Sequence, residues 1–103
     1  RIISGRFGGR KIEGPSADND RTHPMSERIR NALFNSLGDK IQGANVLDAY
    51  AGTGSVGLEA LSRGAKHATF IEKDRIALKI LAKNVTSLNA EMILHEGKVA
   101  FTR

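Results

Sequence analysis

VLDAYAGTGSVGLEAL, residues 46–61, decides the fold. A short apolar run ends on Asp48, the glycines Gly52, Gly54 and Gly57 follow, and a helical pattern opens behind them. The spacing fits G-x-G-x-x-G, a tight turn from a strand into a helix. Glycine at 52 and 54 permits positive φ and lets a ligand approach the backbone. The N–H groups of the helix start then face the crevice above the strand ends, and Gly57 lets helix and strand pack closely.

Working outward, 44–49 reads as a buried strand, 55–63 as a short helix closed by Gly64, and 68–72 as a second strand. Residues 75–88 form an amphipathic helix with Ala77, Ile80, Leu81, Val85 and Leu88 on one face, and 91–95 reads as a third strand. Upstream, Ser26 is placed as an N-cap, Ile29, Leu33 and Leu37 repeat at i, i+4, i+8 beside Phe34, and Gly38 ends that helix. Strands alternating with helices through short turns predict an α/β fold with a parallel sheet and right-handed crossovers. Two parts follow: a basic β-hairpin arm and loop over 1–24, and a Rossmann-like unit of three strands, incomplete for its type, over 25–103.

The totals narrow the function. Forty per cent hydrophobic and 26% charged residues suit a soluble globular domain. The absence of cysteine excludes disulfides, cysteine zinc sites and a thiol nucleophile. No apolar run approaches the roughly 20 residues that span a bilayer, and no apolar signal core opens the chain. A cytoplasmic protein with no membrane partner is the expectation. The net charge of +5 is concentrated: Arg1, Arg6, Arg10 and Lys11 meet no acid within residues 1–12. A cationic end on a near-neutral body reads either as a docking arm for a polyanion or as a solvated terminus. Phe7 within it either stacks on a base or packs on the domain, and Tyr50 either shields a ligand or packs. His23, His67 and His95 are too scattered for a metal site, and none is predicted.

Two acids bear on the ligand. Glu72 ends the second strand, where a carboxylate can accept both hydroxyls of a ribose, in NAD and S-adenosylmethionine sites alike. Asp48 separates the two: a pyrophosphate disfavours a nearby carboxylate, whereas a sulfonium and an α-ammonium attract one. The pattern Asp48-x-x-x-Gly52-x-Gly54 therefore favours S-adenosyl-L-methionine. A turn-capping role for Asp48 is the competing reading.

VLDAYAGTGSVGLEALSRGA and FIEKD, with RIISGRFGGRKI and HPMSERIRNALFNSL, resemble the RsmD family of methyltransferases acting on guanine N2 of small-subunit ribosomal RNA. The resemblance runs through essentially the whole chain. It implies a class I methyltransferase fold, N-terminal half only, in which Asp48, Ala51, Gly52, Thr53 and Gly54 line the methionine moiety. Glu72 and Lys73 would sit at the ribose and adenine, and Gly97, Lys98 and Val99, after the third strand, along the adenine edge. It also implies RNA contacts from Arg1, Arg6, Arg10 and Lys11, with Pro24, Ser26 and Arg28 near the active-site mouth. The partner would be ribosomal RNA or the small ribosomal subunit.

The sequence departs from the family at three places. His23 stands where many relatives have arginine, and Gly97-Lys98 where an acid is common. The Asn/Asp-Pro-Pro-Tyr/Phe motif that holds the acceptor base is missing: Pro15 and Pro24 are the two prolines, and they are not adjacent. No catalytic residue is therefore assigned in this chain, which is expected to be inactive alone and to self-associate through an exposed sheet edge; the full-length enzyme is expected to be a monomer. A non-catalytic RNA-binding module with a vestigial turn, and an NAD-dependent oxidoreductase, are the alternatives.

Overall fold

A computed structural model describes residues 1–14, 26–49, 51–91 and 98–102. His23, Pro24, Tyr50, His95 and Gly97 lie outside them. The elements run α1 (Glu27–Leu37), a 3₁₀ turn (Gly38–Ile41), β1 (Asn45–Asp48), α2 (Ser55–Ser62), β2 (His67–Ile71), α3 (Arg75–Glu91) and β3 (Lys98–Thr102). The three strands are parallel in the order β1-β2-β3. Strands alternating with helices into one parallel sheet give the α/β arrangement that the sequence predicts.

Alternation along the strands sorts the faces. Val46 pairs with Ala68 and Asp48 with Phe70, so these four share one face. Ala68 and Phe70 are fully buried there, in a core with Leu58 of α2 and Leu81, Val85 and Leu88 of α3. Helices that connect strands added in one direction all fall on one side of the sheet. The other face carries Asn45, Leu47, His67, Thr69 and Ile71, none of them buried, and Leu47 is 63% exposed. The open surface is thus a sheet face as well as the β1 edge. Isolated chains are expected to self-associate with rising concentration. Light scattering after size exclusion checks this, and a monomer throughout contradicts it.

Local chemistry explains the first helix. Ser26 has extended backbone angles, and its hydroxyl accepts from the N–H of Ile29 at 3.2 Å, while Gly38 closes the far end with φ of 54°. The buried face is not the one that periodicity selects. Arg30 and Phe34 are buried, whereas Ile29 is 58% and Leu33 37% exposed. The helix is rotated because Arg30 pairs with the buried Glu59 of α2, which directs Phe34 onto Ile41, Ala60 and Ala65.

Two further expectations are corrected. Residues 1–14 form no strand. They make a compact loop closed by Ile2 N–H to Arg10 O (2.9 Å) and Gly9 N–H to Ile2 O (2.8 Å). The loop is no free arm, because Ile2 and Phe7 are buried in the main core. Of the strand expected over 91–95, Glu91 still belongs to α3 and 92–95 lie outside the described residues; the third strand among the described residues is Lys98–Thr102. Nothing from Ser87 to Ala90 breaks a helix, and KVAFT supplies the β-branched and aromatic residues that pair with β2 over five positions.

Candidate cofactor site

Parallel strands end together, so Asp48 of β1 and Glu72, one residue beyond β2, stand on the same rim of the sheet. The glycine turn lies between them. Gly52 and Gly54 have φ of 56° and 93°. A Cβ at Gly54 would meet Leu81 Cδ1 at 2.3 Å, so the position demands glycine both for its angle and for the close approach of α3. Gly57 serves packing: a Cβ there would lie 2.2 Å from Phe70 Cε1. Gly57→Ala gains about 1 kcal/mol of helix propensity but overpacks a core in which contacts sit near 3.5–4 Å. At the upper end of the usual overpacking cost, about 3 kcal/mol, the net loss is about 2 kcal/mol. The urea unfolding midpoint should fall accordingly.

Both acids brace the turn. Glu72 Oε1 accepts from Gly52 N–H and Oε2 from Asp74 N–H, each at 2.8 Å. Asp48 Oδ2 accepts from Gly57 N–H at 3.1 Å, so the capping reading of Asp48 describes a real bond. A carboxylate offers about four acceptor positions, and both residues are partly exposed. A third support is Asn84 of α3, which is buried. Its amide donates to Thr53 O and Glu13 O, both at 2.9 Å, and its oxygen accepts from Glu13 N–H at 2.7 Å. Sequence reasoning missed Asn84, although a polar residue within the Leu81–Val85–Leu88 stripe signals a buried hydrogen-bonding role.

The remaining expected residues divide. Ala51 and Thr53 are buried within the turn, and Lys73 is exposed beside Glu72. Lys98 and Val99 pair with His67 and Ala68, at the start of β2 and so at the opposite end of the sheet from Glu72. Their expected place after the third strand fails because the strand begins, rather than ends, there. Ser26 lines a cleft of about 240 Å³ together with Arg1, Arg30, Thr53 and Ser55. Arg1 pairs with Glu27 at 3.3 Å, and Arg6, Lys11 and Arg28 are exposed. Among the described residues no three His, Cys, Asp or Glu converge as metal ligands, and no helix is long and apolar enough to cross a membrane.

The family model described as Conserved hypothetical protein 95 matches residues 1–102. The chain belongs to this family, the RsmD family. Within the RsmD family, it is 47% identical over 90 residues to the ribosomal RNA small subunit methyltransferase D of Escherichia coli strain K12, covering 87% of this chain and 44% of that protein. It is 42% identical over 88 residues to the protein of the same name in Haemophilus influenzae, covering 85% and 45%. The chain therefore spans about half the length of the curated relatives it matches. Among solved structures, the Escherichia coli protein described as the methyltransferase yhhF superposes with a TM-score of 0.75 at 40% identity, covering 97% of this chain and 50% of that one. A Pyrococcus horikoshii structure described as an RNA methyltransferase gives 0.66 at 28% identity, covering 88% and 46%.

Proposed function

We propose that these residues are the cofactor-binding portion of an S-adenosyl-L-methionine-dependent enzyme that methylates the exocyclic N2 of a guanine in small-subunit ribosomal RNA. The observation that carries the reading is the pair of carboxylates, Asp48 and Glu72, bonded to amides of one glycine turn at the sheet rim. Two negative groups there repel a pyrophosphate and attract a sulfonium and an ammonium. Glu72 would hold the ribose hydroxyls with its free acceptor positions. Asp48, with Ala51, Gly52, Thr53 and Gly54, would hold the methionine end, and Lys73 would flank the adenine. The names of the curated relatives support ribosomal RNA as the substrate class.

When bound, the cofactor supplies an electrophilic methyl group. The contribution of this chain is positional: a turn fixed by Asp48, Glu72 and Asn84 presents the ligand without rearrangement, which lowers the entropic part of the barrier. The acceptor base is assigned to residues outside these 103, since no Pro-Pro motif lies within them. Arg1, Arg6, Arg10, Lys11 and Arg28 supply the positive charge for RNA, with Ser26 at the edge of the cleft, and a cytoplasmic location follows from that substrate. The full-length polypeptide, given labelled methyl donor and small-subunit RNA or assembled particles, should yield N2-methylguanosine on nucleoside digestion. A different methylated nucleoside, or none with either substrate, would overturn the assignment.

A further inference from the structure

Glu59, near the middle of α2, is fully buried. Its Oε1 accepts from the N–H of Ile3 at 2.9 Å and from Arg30 Nε at 3.2 Å. Its Oε2 accepts from the N–H of Ser4 at 3.1 Å and from Arg63 Nε at 2.8 Å. Arg30 also donates to Arg1 O. Arg63 reaches Asn31 Oδ1 at 3.1 Å and lies 5.0 Å over the Phe34 ring. One turn on, Ser62 repeats the pattern. Its hydroxyl accepts from Phe7 N–H at 2.8 Å and donates to Ser4 O at 2.6 Å, and its carbonyl accepts from Arg6 N–H at 2.7 Å.

The same helix begins at the glycine turn. Within eight residues α2 joins the candidate cofactor site to the backbone of the loop that carries Arg1, Arg6, Arg10 and Lys11. A buried carboxylate with two guanidinium partners is a poor choice for stability alone, because apolar residues of similar volume often do as well or better. What a carboxylate does uniquely is receive two successive backbone amides and two arginines at once, which fixes direction.

We infer that Glu59, seconded by Ser62, is a positioning residue that sets the cationic loop at a fixed place relative to the cofactor turn, so that its arginines meet RNA phosphates in one register. This rests on the RNA reading proposed above. Freed of Glu59, the loop would keep its charge and lose its register, so affinity for RNA falls while the turn keeps its own braces, Asp48, Glu72 and Asn84.

The test compares Glu59→Gln and Ser62→Ala in the full-length protein, measuring affinity for naked small-subunit ribosomal RNA across a salt series and for S-adenosylhomocysteine by calorimetry. Both variants should weaken RNA binding, Glu59→Gln by about tenfold, with a shallower salt dependence as one or two phosphate contacts are lost. Adenosylhomocysteine affinity should stay within about twofold of the parent. Ser62→Ala leaves no buried charge unpaired, so it answers the question even if Glu59→Gln folds poorly. Parental RNA affinity in both variants, or equal losses for RNA and adenosylhomocysteine, would overturn the inference. Failure of the RNA reading itself looks different: the parent then shows no RNA affinity that Arg6→Ala with Arg10→Ala reduces, and the inference falls with it.

Discussion

Glu72→Ala is expected to weaken S-adenosylhomocysteine binding by about 10- to 150-fold, the range for losing one hydrogen bond to a charged group, and by more if both ribose hydroxyls are held. The loss has two sources. The ligand loses its acceptor, and Gly52 N–H loses the partner that fixes the turn. Glu72→Gln separates them, because the amide keeps one oxygen for Gly52 N–H while losing the charge and one acceptor. It should fall between the parent and the alanine variant. Calorimetric titration of the three proteins checks the order, and equal affinity in all three would remove Glu72 from the site.

Phe70→Ala is expected to cost about 3–5 kcal/mol of folding stability, the usual range for emptying a buried aromatic site. Phe70 is fully buried, its ring packs on Gly57, and it lies in the cluster that joins α2, α3 and the N-terminal loop. A domain of ordinary stability holds about 5–15 kcal/mol in total, so the variant should be partly unfolded or close to it at room temperature. Urea unfolding followed by circular dichroism gives the difference. A loss under about 1 kcal/mol would mean that the core closes around the gap far better than the Gly57 contact implies.

The glycine turn and the first helix were legible in the sequence because their causes are local. Ser26 caps its own helix, Gly38 ends it, and Gly52, Gly54 and Gly57 answer to angles and contacts of the turn itself. What escaped the sequence depends on partners far along the chain. The exposure of Ile29 and Leu33 follows from Arg30 seeking Glu59, 29 residues away, and no 3.6-residue period encodes that pairing. The apparent arm of residues 1–12 carries the charge pattern of a solvated tail, yet Ile2 and Phe7 are core residues because Glu59 and Ser62 hold the backbone down. Glu91 reads as the start of a strand in the sequence and ends α3 in the structure, since periodicity over a short run cannot choose between the two. Lys98 and Val99 open the third strand and so stand at the opposite end of the sheet from Glu72.

The central claim is that Asp48 and Glu72 make this turn a methyl-donor site and not a dinucleotide site. Parallel calorimetric titrations of the protein with S-adenosylhomocysteine and with NAD test it most directly. Saturable adenosylhomocysteine binding, with NAD weaker by about 100-fold or more as expected for a pyrophosphate placed against carboxylates, is the predicted result. NAD binding as tightly as adenosylhomocysteine, or more tightly, would contradict it.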